Sequence, residues 1–478
     1  MAALEPTKFF IYRWRYVIGY SLVGLLLAGL LVFAGLYVPG GISPEEIRST
    51  IRSDSISLTN FDSLGVANLP YYLLQATLFH FFGVYDFIIK LPSLILGLLS
   101  AVGLIILLRR WFKPNIAVLA SLIAVTTGQF VFVAQNGAPG IMFIFWPVMV
   151  LLLGTQITRA KRARFLWKVL FAIAAALSLY TPLAIYPLFA IVLATILHPH
   201  LRNAVRRLSK FRLVVCAIIA LIVVAPLLLS IWHTPSLGLT LLGVPAMWPP
   251  NVWANLTTLL HQYFFFWQPS TTTLMTPVFG LGSVLLIGLG LYRLIRTRAE
   301  TRSYLVIIWL ICLVPILILN PSFTSVGFVP SVLLLAAGLT SLIGYWYRLF
   351  PFNPYARIAG LLPLILLVAV LLGSGLDRYI YGYHYDPNTA VNFSKDLKLL
   401  PAKTTELIVS PDENAFYQVV AKHRPGLVVL ENPSGTSDTI TVTHDANRAL
   451  GDYAVQRIIT SPYANDSDRL YIYKKVAQ

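Results

Sequence analysis

Apolar residues run unbroken for close to 20 positions again and again along this chain, with short polar gaps between the runs. Runs of that length match helices crossing a bilayer, and their continuity argues against the alternating strands of a membrane barrel. The pattern predicts eleven helices, at 16–38, 88–108, 115–134, 139–158, 167–181, 183–198, 212–232, 273–294, 303–320, 325–346 and 357–376. The run 167–198 divides at Tyr180-Thr181-Pro182. Both of its ends are basic, which favours a hairpin over one kinked helix.

Two shorter helices are predicted inside the polar gap 39–87. In "PEEIRSTIRS" (44–53), Ser43 is a good N-cap and Pro44 suits the first helical position. Ile47 and Ile51 then share one face and Arg48 and Arg52 another, the pattern of a helix lying on a membrane surface. "LPYYLLQATLFHFFG" (69–83) is apolar but too short to span, and reads as an interfacial or re-entrant piece. After residue 376 the period changes. "TELIVS", "GLVVLEN", "TITVTHD", "RIITSP" and "DRLYIYKK" read as strands, and "NTAVNFSKDLKLL", "ENAFYQVVAKH" and "DANRALGDYAVQ" as helices. Such alternation predicts a small α/β domain. The expected architecture is therefore mainly α: a polytopic helical bundle over 1–376, carrying the outer loop 39–87, and an extracytoplasmic α/β domain over 377–478.

Composition agrees. The 478 residues are 57% hydrophobic and 12% charged, about half the charge of a soluble protein. The net charge of +17 does not indicate nucleic acid. Of 36 basic residues, 22 fall in six clusters between apolar runs, which places those loops, and the N-terminus, on the cytoplasmic side. An odd number of spans puts the C-terminal domain outside. Cys216 and Cys312 lie inside apolar runs and read as packing residues. The first run is long and lacks a small-residue cleavage site, so it reads as a retained helix and leans toward a bacterial plasma membrane.

The acids are distributed unevenly. Seven of the 19 precede residue 377, and five of those seven, Glu45, Glu46, Asp54, Asp62 and Asp86, crowd into 39–87. Solvating charge accounts for Asp54 or Asp86. Glu45 and Glu46 sit in a first helical turn, where the dipole favours negative charge, so a stabilising role is also open to them. The pattern predicts a shelf at the outer face, with carboxylates and guanidinium groups directed into a cavity above the bundle. A carboxylate there takes a proton from an incoming hydroxyl or amine. Arg48 and Arg52 hold a phosphate bidentately and stabilise it as a leaving group. That chemistry suits group transfer from a lipid phosphate where nucleotide-activated donors are absent.

The stretch 68–112, "NLPYYLLQATLFHFFGVYDFIIKLPSLILGLLSAVGLIILLRRWF", resembles GT-C glycosyltransferases, in particular the bacterial members of the protein O-mannosyltransferase and aminoarabinose-transferase group. In that group an acidic pair, a Pro-Tyr-rich segment, a Phe-Gly and an "R-L-P-S" follow one another. This chain has Glu45-Glu46, Leu69-Pro70-Tyr71-Tyr72, Phe82-Gly83 and Lys90-Leu91-Pro92-Ser93 in that order. The resemblance covers about 40–160. It implies inverting transfer, metal-assisted or metal-independent, from a polyprenyl-phosphate-linked sugar to a lipid, glycan or protein acceptor, with Glu46 or Glu45 as base. Arg48, Arg52, Lys90, His261, Asn68 and Tyr71 are the candidate substrate contacts. Two departures stand out in "AQNGAPGIM": Gln135 occupies the place of an expected Arg, and Gly140 that of an expected acid. No metal ligand is assigned, and no other cofactor, since no G-x-G-x-x-G or phosphate loop is present.

Each remaining candidate has a plainer reading. His261, in "TTLLHQYFFFW", and Tyr263 and Trp267 beside it suit an interfacial aromatic belt. Lys90 faces a phosphate or snorkels. Asn68 meets substrate hydroxyls or caps the helix after it. His80 has no assigned role, and His198 with His200 lacks a third ligand. The alternatives to an enzyme are a transporter, against which the outer placement of the acids counts, and an inactive GT-C homologue that binds a lipid-linked sugar.

Overall fold

A computed structural model describes residues 10–37, 41–57, 61–159, 164–206, 209–245, 247–266, 275, 277–349, 355, 359–384, 393, 395–448, 450–460 and 469–476. The bundle is built from α1 (Phe10–Tyr37), α2 (Pro44–Ser55), α3 (Leu69–Phe82), α4 (Asp86–Trp111), α5 (Pro114–Val125), α6 (Gly128–Gln135), α7 (Met142–Arg159), α8 (Arg164–Ser178) and α9 (Ile185–Leu197). It continues through α10 (Pro199–Arg206), α11 (Lys210–His233), α12 (Pro235–Leu242), α13 (Val252–Phe264), α14 (Leu281–Arg296), α15 (Thr301–Leu319), α16 (Phe328–Leu349) and α17 (Leu361–Tyr379). Helix lies within each of the eleven expected segments. Among the described residues six helices are long and apolar enough to cross a membrane, or seven if α5 and α6 are one broken span.

That break has a local cause. The Thr126 hydroxyl donates to Leu122 O at 2.8 Å and the Thr127 hydroxyl to Ala124 O at 2.7 Å. Such back-bonding loosens the helical ladder, and Gly128 follows. The chain turns by 61° there. α17 crosses at the bend, where Gly375 is needed because a Cβ would sit 2.5 Å from Thr126 O. α14 and α16 meet backbone to backbone at Gly290 and Gly338, where no Cβ fits. Small residues permit this in a bilayer, where apolar contact alone does not drive helices together.

The C-terminal domain holds one sheet of β1 (Glu406–Ile408), β2 (Val428–Leu430), β3 (Thr439–Thr443), β4 (Tyr453–Ile459) and β5 (Leu470–Lys475), in the order β2-β1-β3-β5-β4. β1 is parallel to β2 and β3; β5 is antiparallel to β3 and β4. The α18 helix (Pro411–Lys422) joins β1 to β2. All five expected strands are present. Two expected helices are not as read. Residues 445–456 form turns and then enter β4 at Tyr453, because Tyr453, Val455, Ile458 and Ile459 continue a sheet rather than a helical face. The stretch 388–400 shows only a 3-10 turn at Leu397–Leu399, its first part lying outside the described residues.

α2 does not lie on the membrane as the spacing of its isoleucines suggested. Ile47 and Ile51 pack into a core shared by Ile42, Phe79, Val84 and Ile89 of the bundle and Leu400, Leu407, Val409 and Phe416 of the C-terminal domain. Its Glu46, Ser49, Thr50 and Ser53 are buried instead. α2 is thus clamped between bundle and domain, and its polar side faces inward.

Candidate active site at the bundle–domain junction

The site begins with a helix start. Ser43 Oγ accepts from the Glu46 amide at 3.3 Å, and Glu46 Oε2 accepts from the Ser43 amide at 2.7 Å, a complete capping box. The box fixes Glu46 with its other oxygen aimed at the bundle. Oε1 accepts from Lys90 Nζ at 2.6 Å and from the Gly137 amide at 2.6 Å. Glu46 is 0% exposed and Lys90 2%. Lys90 neither snorkels nor stands open to a phosphate; it is a sealed ion pair with its ammonium 5.5 Å from the Phe393 ring centroid. Gly137 cannot be replaced freely, since a Cβ would lie 2.6 Å from Ile89 O.

Gln75 locks the same junction from beneath. Its Oε1 accepts from Ser49 at 2.8 Å and Ser53 at 2.6 Å, and its Nε2 donates to Ile89 O and Gly137 O at 3.0 and 3.3 Å. Three elements thus hang on one amide. Sequence reasoning passed over Gln75, although a polar residue in the apolar run of α3 was a visible signal. Tyr71, 0% exposed, shares a hydrogen bond with Ser93 Oγ at 2.9 Å. Tyr71, Tyr379 and Tyr383 all feel the charge of Glu46.

A second cluster lies on the outer side of α2. Glu45 is half-buried and Arg48 and Arg52 are exposed. Arg52 hydrogen-bonds to Tyr72, which the Glu45 and Arg48 charges also reach. Burial raises the Tyr72 phenol above its ordinary range, against the pull of Arg52. The guanidinium groups therefore do not point inward with Glu46, as the shelf was expected to arrange. They gather with Glu45 at its rim, because the inward face of α2 is taken by Glu46 and the serines.

Asn68 opens α3 in a left-handed conformation (φ 60) and makes no side-chain cap; its backbone carbonyl accepts from the Tyr71 and Tyr72 amides, and its Oδ1 is buried without a partner. His261 is exposed on α13 and stacks on Phe265 at 5.0 Å, while α13 packs against α15 and the 321–327 turn. The Tyr263 hydroxyl donates to Thr324 O. Trp267 lies outside the described residues. His80 is exposed, and His198 bonds the Ala299 carbonyl.

A cavity of about 590 Å³ lies on the far side of α17, lined by Thr127, Gly128, Val278, Leu371, Ser374 and Arg378 among others. Its walls are mainly apolar, with Asp377 and Arg378 at the end of α17. The site does not suit a divalent ion. Both Glu46 oxygens are engaged, Gly140 brings no ligand, and among the described residues no three His, Cys, Asp or Glu side chains converge.

By its fold the chain is a multi-pass helical membrane protein with a small C-terminal sheet. The family model for dolichyl-phosphate-mannose-protein mannosyltransferase matches residues 69–232. ArnT of Cupriavidus metallidurans superposes with a TM-score of 0.56 in its undecaprenyl-phosphate-bound crystal structure, at 13% identity over 95% of this chain and 98% of that one. The apo form gives 0.57 at 13% identity, over 96% and 98%. The Archaeoglobus fulgidus oligosaccharyltransferase is more distant, at 0.47 and 15% identity over 86% of this chain and 64% of that one. No curated protein sequence matches the chain. The resemblance read from 68–112 is borne out at the level of fold.

Proposed function

We propose that the protein is a membrane glycosyltransferase that moves a sugar from a polyprenyl phosphate to an acceptor on the extracytoplasmic face. The observation that carries this reading is the cluster of Glu45, Arg48, Arg52 and Tyr72 on the other side of the helix that holds the buried Glu46–Lys90 pair. The family match over 69–232 and the likeness to an ArnT crystallised with undecaprenyl phosphate support it. Glu45 takes the proton of the acceptor hydroxyl or amine. The bond between the anomeric carbon and the phosphate oxygen breaks as the acceptor attacks from the opposite side, inverting the centre. The electron pair leaves with the lipid phosphate, whose charge Arg48 and Arg52 meet. Glu46 acts by positioning, since it orients Lys90 and the start of α2. The Asn68 amide and the Tyr71 hydroxyl line the floor of the site, and the cavity behind α17 suits an isoprenoid chain. His261 marks the outer rim of the bundle. Eleven crossings, an internal N-terminus and an external C-terminal domain in a plasma membrane complete the reading.

One observation favours a second reading, a non-catalytic binder of lipid-linked sugar: both Glu46 oxygens are already engaged. Transfer of labelled sugar from a short polyprenyl-phosphate donor decides between them. Glu45→Gln is expected to lower transfer by about 10²-fold or more, the usual worth of a positioned base. Unchanged transfer would remove Glu45 as the base, and no transfer by wild type would favour the binder.

A further inference from the structure

Residues 395–399, ahead of the sheet, lie against the junction that holds Glu46 and Lys90. They are tied at three points. Lys395 O accepts from the Ile42 amide at 2.7 Å, an antiparallel bridge to the segment leading into α2. The Leu397 amide donates to Asp86 Oδ1 at 3.2 Å. The Lys395 ammonium pairs with Glu413 and lies 3.9 Å from Asp445. Glu413 itself accepts from Thr443 at 2.7 Å and Ser410 at 3.2 Å.

The place that receives this ammonium is telling. β1 continues through α18 to β2 on one side, while β3 lies on the other side of β1. The strand order reverses between β1 and β3, and the crevice beyond their carboxyl ends is where open α/β sheets bind ligands. Ser410 follows β1, and Thr443 and Asp445 end and follow β3. The crevice is filled here by the protein's own lysine. Just before it, Phe393 lays its ring against Lys90, and Gly41 gives Phe393 the room to approach, since a Cβ at 41 would collide with the Phe393 carbonyl. The result is a cation 2% exposed that no phosphate can reach.

The fastening is not wholly favourable. Asp86 is buried, and the Asp396 carboxyl faces it within hydrogen-bond reach, a pair of acids that must share a proton to sit together.

We propose that residues Lys395–Leu399 are a strap, latched by Lys395 in the sheet crevice, that closes over Lys90 and must lift to admit the donor phosphate. This rests on the reading of the protein as a lipid-phosphate-dependent glycosyltransferase. In the unlatched state Lys90 turns from Glu46 to the incoming phosphate, and the crevice is free for a cationic group of another molecule.

The test is an Ile42→Cys/Lys395→Cys pair in the full-length protein in nanodiscs, probed with radiolabelled undecaprenyl phosphate. A strap held shut reduces apparent affinity by the fraction of molecules left competent, so oxidation is expected to weaken binding by about tenfold or more, restored by reductant. Equal binding in both redox states overturns the strap. Glu413→Gln, which keeps the shape of the latch and removes its charge, is expected to strengthen binding; weaker binding overturns the latch. Sugar transfer measured alongside separates the two claims. Transfer with equal lipid binding in both states removes the strap and leaves the glycosyltransferase. Lipid binding abolished by oxidation, with no transfer by wild type, keeps the strap and removes the enzyme.

Discussion

Glu46 and Lys90 each have a structural reason to exist apart from chemistry. Each is a charge taken out of water, tolerated because the partner and the Gly137 amide compensate it. Removing one partner leaves the other charge stranded. Glu46→Gln should therefore destabilise the fold by about 3–5 kcal/mol, and Glu46→Leu with Lys90→Met should recover much of that loss. Thermal unfolding in detergent checks the pair. A double variant no more stable than either single one would show that the charges are not coupled. At the residue scale the sequence was only partly legible. The capping box was readable from Ser43, Pro44 and their spacing to Glu46. Which of two adjacent glutamates turned inward was not, because a step of one residue rotates a side chain by about 100° and only the docked partner fixes the sense. Lys90 was visible as a basic residue on the wrong side of the membrane, yet its partner lay 44 positions away.

Among elements, α2 shows how a local pattern gives the right secondary structure and the wrong environment. Ile47 and Ile51 define an apolar stripe, but a stripe does not say whether lipid or protein covers it. Here the covering surface is a domain that begins more than 300 residues later in the chain. Gln75 carries the opposite face. Gln75→Leu strands the Ser49 and Ser53 hydroxyls and the Ile89 and Gly137 carbonyls, each at about 1–3 kcal/mol if buried dry. The expected outcome is loss of amide exchange protection over 44–55, with the spanning helices unchanged. Protection kept at the wild-type level would show that the apolar face alone holds α2. The α5–α6 break was less legible still, since two threonines and a glycine sit in many straight membrane helices; the bend becomes intelligible only with α17 passing against it.

At the scale of the whole molecule, bundle and sheet domain are joined by charge as well as by a common core. Lys422 pairs with Asp54 at 2.7 Å across the junction, and Lys395 with Glu413 holds the strap. Burial alone would raise Glu413, but the Lys395 ammonium and the Thr443 and Ser410 hydrogen bonds outweigh it and hold the carboxyl below its ordinary value. A depressed acid contributes stability above its unfolded value and loses it as pH falls through its folded one. Glu406 is lowered too, with hydrogen bonds from Ser437 and Ser434 overcoming burial. Asp445 runs the other way, raised by burial and by Glu413. With two groups lowered and one raised, the C-terminal domain should loosen as pH drops below the usual glutamate range, near 4.5. Far-ultraviolet dichroism against pH reads this out, and Glu413→Gln should flatten the profile. The change in composition after residue 376 was plain in the sequence. That the halves share packing was not, because both sides of the seam are ordinary isoleucines, valines and phenylalanines.

That seam bears on how such a protein changes over time or in the laboratory. If the outer domain were a separable module, acceptor preference could be altered by exchanging it wholesale. Ile47 and Ile51 rule that out: a transplanted domain with a differently shaped underside would leave the acid-bearing helix half unsupported. Recombinants cut within the connecting segment should fail unless residues 41–55 travel with their new partner.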